Sequence, residues 1–264
     1  MGKIGLTFQR LKNRGRVALI PFIIAGDPTL DVTEALVLKM AECGADIIEI
    51  GVPFSDPLAD GPTIQAASQR ALMKGINIRD IFGMMKRLKG LAQPLIIMTY
   101  FNPIFRYGLK AFAAECKENG IDGAIVPDLP PEEAGPWIKE ARATEVDTIF
   151  LIAPTSPPER IKRISRWSRG FIYYVSVTGV TGARGKLSEE LESAVRQIKE
   201  LSRKPVSVGF GISTPQQVKE VRRFADGVIV GSAVVKIIED YMGSPNLITR
   251  VGDFVFSLAN VLKS

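Results

Sequence analysis

One acidic residue stands inside an apolar run. In ADIIEIGVPFSDPLADGP, residues 45–62, Glu49 is flanked by isoleucines and followed by a proline-bounded loop carrying Asp56 and Asp60. Read as a strand, 46–52 puts Ile47, Glu49 and Gly51 on one face and Ile48 and Ile50 on the other. If the apolar pair packs outward, Glu49 points into the interior. There a charged carboxylate is costly unless it is paired, hydrogen-bonded or driven toward its neutral form. Pairing with an interior cation is the bland alternative, but none of the strand-like runs contains Lys or Arg. Glu49 is therefore a candidate proton-transfer group. Asp before Pro or Gly is ordinary turn chemistry, so spacing alone leaves Asp56 and Asp60 open.

Absent residue types narrow the chemistry further. The chain has no histidine, so it can build neither a His-rich metal site nor a Ser-His-Asp triad. No metal site is expected. A Schiff-base lyase needs a lysine near an inward strand end, and the strands offer none. Carboxylates remain, with Tyr100 and Tyr173 as possible helpers, for acid–base work. Three glycine-rich segments, GVTGARG (179–185), GFGIS (209–213) and GSA (231–233), fall at strand ends. Glycines there let backbone N–H groups approach a phosphate, a short helix start adds its dipole, and Ser232 adds a hydroxyl.

These groups need a scaffold. Val- and Ile-rich runs recur at 17–26, 46–52, 94–100, 123–128, 147–153, 170–176, 205–211 and 227–233. Their continuous apolar character is that of parallel strands buried on both faces. Amphipathic stretches at 29–43, 108–119, 131–142, 188–203 and 214–224 alternate with them. Eight β-then-α units in 264 residues predict a (β/α)₈ TIM barrel, 1–264 as a single domain. No GxGxxG follows the first strand, unlike a doubly wound sheet. Beyond the eight units stand an N-terminal helix in 5–15, an extended loop at 53–61 after strand two, an extra helical segment at 62–90 and a terminal helix over 234–262. The active site of such a barrel lies at the C-terminal ends of its strands, where Glu49 and the glycine clusters fall.

Composition agrees. With 46% hydrophobic and 23% charged residues the chain is ordinary globular protein. The net charge of +6 is spread along the chain. Its densest run, Arg160 to Arg169, has Ile161, Ile164 and Trp167 on the opposite helical face, so it reads as a solvated outer helix rather than a nucleic-acid site. Cys43 and Cys116 sit among alanines and read as core hydrophobes, consistent with a reducing cytoplasm. The basic residues before VALIPFIIAG imitate a signal peptide, but Pro21 and the β-branched content argue for a strand. No apolar stretch reaches membrane length, so neither nucleic acid nor membrane is an expected partner.

Together PFIIAGDP (21–28), EIGVPFSDPLADGPTIQ (49–65), VPDLPPEE (126–133), GVTGARG and GFGIS resemble the α subunit of tryptophan synthase over nearly the whole chain. The resemblance implies reversible retro-aldol cleavage of indole-3-glycerol phosphate to indole and glyceraldehyde 3-phosphate. By position it names Glu49 and Asp60 as the catalytic carboxylates, leaves Asp56 as a turn residue and puts Tyr173 beside the pair. It puts Phe22 and Phe210 near the indole, and Thr181, Gly182, Gly211, Gly231 and Ser232 around the substrate and its phosphate. It also implies an α₂β₂ complex with a β subunit that holds pyridoxal phosphate and receives the indole, with no cofactor in this chain. One departure is Ile24, where the family often has threonine. Rival readings are another phosphate-binding barrel, a stand-alone indole-releasing lyase and a silent activating subunit.

Overall fold

The computed structural model describes residues 1–175, 184–209 and 211–263, with 184–188 described by backbone alone. Eight parallel strands close a barrel in chain order, each paired with its sequence neighbours and the last with the first. They are β1 (Ala18–Ile24), β2 (Ile48–Gly51), β3 (Leu95–Met98), β4 (Gly123–Ile125), β5 (Asp147–Ile152), β6 (Ile172–Val175), β7 (Val206–Gly209) and β8 (Gly227–Val230). Every predicted strand is present and shorter than its apolar run.

The helices are α1 (Lys3–Asn13), α2 (Leu30–Glu42), α3 (Pro62–Met73), α4 (Ile78–Leu88), α5 (Phe101–Tyr107), α6 (Leu109–Glu118), α7 (Gly135–Ala143), α8 (Pro158–Trp167), α9 (Arg184–Leu201), α10 (Pro215–Val221), α11 (Ser232–Asp240) and α12 (Leu247–Lys263). Four places differ from expectation. The 62–90 segment is two helices, broken at Gly75 in the left-handed region (φ +75°) and restarted by an Asn77–Asp80 capping box. The terminal helix is likewise two, α11 and α12, separated at Gly243 and Pro245. Asn102-Pro103, which by its proline reads as a stiff projection after the third strand, lies instead in the first turn of α5, where a proline is tolerated. The helix expected over 131–142 begins later, at Gly135, because 131–134 turns back with Ala134 N–H donating to Pro130.

Alternation sorts the strand side chains into two layers. Ile48 and Ile50 pack outward with Leu36, Met40, Ile81 and Met84 of the surrounding helices, while Ile47, Ile96, Ile125, Ile149 and Ile229 fill the interior. Helix α1 plugs the lower mouth: Ile4, Phe8 and Leu11, all at most 5% exposed, join the interior cluster. Burying each contributes about 1.5–3 kcal/mol. At this end aspartates cap strand backbones. Asp46, Asp122 and Asp226 accept from Leu19, Leu95 and Val206 N–H at 3.0, 2.9 and 2.8 Å. Polar groups here serve the fold, as expected for this face. Helix α8 is the anticipated outer helix: Ile161 and Ile164 are buried while Arg160 and Arg163 reach Glu132 at 3.6 and 3.4 Å. Cys116 is buried, Cys43 half-buried, and both are free thiols.

Candidate active site

Glu49 sits on β2 in register with Phe22 of β1 and Ile96 of β3, facing inward. It is 1% exposed and its Oε2 is buried without a hydrogen-bond partner among the described residues. Among the described residues nothing compensates the charged form. Burial, and then the charge of Asp60, push its carboxyl from the ordinary 4.5 up to about 8. At neutral pH it is therefore mostly a protonated acid, poised to give a proton.

Asp60 lies in the loop from β2 to α3, half-buried, with its Oδ2 accepting from the Tyr100 hydroxyl at 2.9 Å. That hydroxyl accepts in turn from Ala59 N–H at 2.9 Å. The Tyr100 ring stacks on Phe54, centroids 5.0 Å apart, so the loop is pinned to the end of β3. The loop is less polar than expected: burial raises the Asp60 carboxyl above its usual range, and the Tyr100 hydrogen bond opposes this by favouring the ionised form. Asp56, by contrast, is exposed and accepts from Ser55 Oγ at 2.6 Å. Sequence weighed Tyr100 as a helper; only the fold attaches it to Asp60.

Tyr173 is on β6, paired with Leu151 and Ser207. Burial, then the charges of Glu49 and Asp60, hold its phenol well above the usual value, which places it within the field of both carboxylates. Its hydroxyl lies over β7: a Cβ on Gly209 would come within 2.4 Å of it. Phe22 occupies the neighbouring wall in the same way. A Cβ on Gly51 would meet its ring at 2.7 Å and Ile24 at 2.6 Å, and one on Gly231 would lie 3.3 Å from the ring. Ile24, the departure from the family string, is thus a buried wall residue packed beside Phe22.

Gly231 is the N-cap of α11 with no side-chain cap bond, and Ser232 is its first residue, so the first backbone N–H groups there are open to an anion. Gly211, after β7, has φ +71°, a conformation other residues adopt only with strain. Thr181, Gly182 and Phe210 lie outside the described residues, and of the loop expected over 179–190 the part from Arg184 onward is the start of α9.

One ion-pair network had no local signal in the sequence. Asp27, 2% exposed, accepts from Arg70 Nε and Nη2, both at 2.8 Å, and Arg70 Nη1 reaches Glu239 at 3.0 Å. The network ties the β1–α2 loop to α3, which follows Asp60, and to α11, which begins at Ser232. A bidentate buried pair fixes geometry more than it adds stability. Among the described residues there is no cluster of three or more His, Cys, Asp or Glu side chains that could hold a metal ion, and no helix is long and apolar enough to cross a membrane.

A family profile described as tryptophan synthase alpha chain matches residues 8–257. Among curated relatives, the chain is 47% identical over 260 residues to the tryptophan synthase alpha chain of Arabidopsis thaliana, covering 98% of this chain and 94% of that one. It is 49% identical over 263 residues to that of Geobacter sulfurreducens, covering 99% of each. Its fold superposes on the solved tryptophan synthase subunit alpha of Legionella pneumophila with a TM-score of 0.92, 38% identity and coverage of 99% and 98%.

Proposed function

The chain belongs to the tryptophan synthase alpha chain family, and on that premise we propose that Glu49 and Asp60 carry its chemistry. The family's reaction is this chain's: reversible retro-aldol cleavage of indole-3-glycerol phosphate to indole and glyceraldehyde 3-phosphate, with a β subunit as partner. The observation that supports the residue assignment best is a buried, mostly neutral Glu49 beside a second carboxylate held by Tyr100.

In this reading protonated Glu49 gives its proton to indole C3. The ring nitrogen then carries positive charge, which ionised Asp60 stabilises by accepting from the indole N–H. The Glu49 carboxylate next takes the proton from the side-chain hydroxyl. The bond between C3 and the hydroxyl-bearing carbon breaks, its electrons restore the indole, and the carbon leaves as the aldehyde. Glu49 ends protonated, ready for another turnover. Two similar carboxylates take opposite roles because their surroundings differ. Tyr173 and Phe22 wall the cavity, with Phe210 assigned to the indole on family grounds alone. Phosphate is assigned to Gly211, Gly231 and Ser232, with Thr181 and Gly182 contributed by the loop after β6.

Glycerol phosphate should therefore compete with substrate, and Ser232→Ala should weaken that inhibition several-fold, the loss of about one hydrogen bond to a charged group. Ser232 is a better probe than Gly211, where any side chain adds backbone strain of its own. An inhibition constant unmoved by Ser232→Ala would put the phosphate elsewhere.

The partner's docking surface is proposed on the catalytic face. Leu58 is 91% exposed and Phe105 65%, apolar groups that a partner could cover. Phe105 borders a hollow of about 320 Å³ with Phe101, Asn102, Asp128, Leu129 and Glu133. Asp56-Pro57 and Pro130-Pro131 follow the second and fourth strands at the same end of the barrel, and α5 takes the place of the expected third loop. We assign pyridoxal phosphate to the β subunit and none to this chain, and place the α₂β₂ assembly in the cytoplasm. The test is indole release from the isolated chain and with added β subunit. Turnover that rises on addition supports the reading; an isolated chain already at the complexed rate replaces it with a stand-alone lyase, and no indole release in either state overturns it.

A further inference from the structure

One large hollow among the described residues is not at the catalytic mouth. It is a cleft of about 1030 Å³ at the opposite end of the barrel, between α1, the start of β1 and the segments leading into β6 and β7. Six cationic side chains line it, Lys12, Arg16, Arg169, Lys199, Arg203 and Lys204, against two carboxylates, Asp147 and Asp226. The carboxylates are already engaged: Asp226 with Lys199 at 2.9 Å and Asp147 with Arg169 at 3.3 Å. Lys12, Arg203 and Lys204 have no ion-pair partner among the described residues. Arg16 reaches Asp46 only at 3.9 Å, and its Nε is buried with no hydrogen-bond partner.

A buried donor left without an acceptor costs free energy comparable to a lost hydrogen bond, and clustered cations of one sign raise the local concentration of anions. Both facts favour an acceptor-rich occupant. The site is concave and bounded by α1, which suits a compact ligand rather than an extended polymer, and its size is that of small-molecule sites. The floor includes Phe8, part of the plug that closes the barrel interior.

We propose that this cleft binds a small multivalent anion of the phosphorylated-metabolite class, held by Arg16, Arg203, Lys204 and Lys12. Such a ligand bridges α1 to the segment before β7 and so staples the plug in place. It is separate from the substrate phosphate site, which lies at the other end of the strands.

The probe is inorganic pyrophosphate, titrated calorimetrically into the full chain at low ionic strength, with saturating glycerol phosphate present to occupy the catalytic mouth. One site with a Kd below about 1 mM is expected, together with a melting temperature that rises with pyrophosphate. In the Arg203→Ala/Lys204→Ala double variant binding should weaken about tenfold or more, as for lost charge-assisted hydrogen bonds. Its indole release and its melting temperature without pyrophosphate should be unchanged. Lys12→Ala, on the other wall, should weaken binding independently. The proposal is overturned by the absence of saturable binding up to about 5 mM, or by equal binding in the variants, which would place the anion outside this cleft.

Discussion

Glu49→Gln should cut indole release by about 10²–10⁴, the range for removing a general acid–base group, while making the folded chain more stable at neutral pH. The amide keeps the shape and cannot transfer protons. The stability gain follows from the raised carboxyl. Below about pH 4.5 the carboxylic acid is protonated in both folded and unfolded chains, so burial costs no ionisation. As pH rises toward 8 the unfolded chain releases this proton and the folded chain keeps it, and the parent loses stability across that window. Above about 8 the loss is complete. Glutamine has no such dependence, so denaturant midpoints of variant and parent should separate between pH 5 and 8, by an order of a few kcal/mol. The parent's kcat/KM should fall above about pH 8, as neutral Glu49 disappears. A loss below tenfold in a folded variant sinks the catalytic role; a stability gap independent of pH sinks the account of its ionisation.

Asp60→Asn should lower turnover by about 10²–10³, the scale for deleting one electrostatic stabiliser of a developing charge. Asp56→Asn should stay within about threefold, since Asp56 is exposed and bonded only to its neighbour Ser55. Asparagine can still accept from Tyr100, so the loop should hold its place while losing the charge. A second consequence has a fixed sign. The Asp60 charge is the lesser of the two causes that raise the Glu49 carboxyl, so in Asp60→Asn the alkaline fall in kcat/KM should move to lower pH. Severe and equal losses at positions 56 and 60 would show that the two aspartates do not divide into a catalytic and a turn residue. A fall that stays at the same pH would show that the two carboxylates do not sense each other.

What the amino-acid sequence alone determined about this protein is whatever depends on local period and burial. Parallel barrel strands are buried on both faces, so they appear as uninterrupted Val and Ile runs, and all eight were legible. The same alternation oriented Glu49 inward before any coordinates, because Ile48 and Ile50 left it no other face. The resemblance carried by the ordered strings around 21–28 and 49–65, and not composition or spacing, is what assigns the catalytic role to Asp60 and a turn to Asp56. Helix boundaries were less legible: α5 is too short for a period to show, and apolar spacing runs across Gly75 and Gly243 as though the helices there were continuous. What only the tertiary structure decided is which distant residues meet. Tyr100 reaches Asp60 because β3 lies beside β2 in register, and Asp27, Arg70 and Glu239 converge because closure of the barrel brings α3 and α11 against the β1–α2 loop. The burial that raises the Asp60 carboxyl and the cationic cleft beneath α1 arise in the same way. Periodicity is written along the chain, whereas desolvation and ion pairing depend on neighbours that the chain acquires only when the first strand pairs with the eighth.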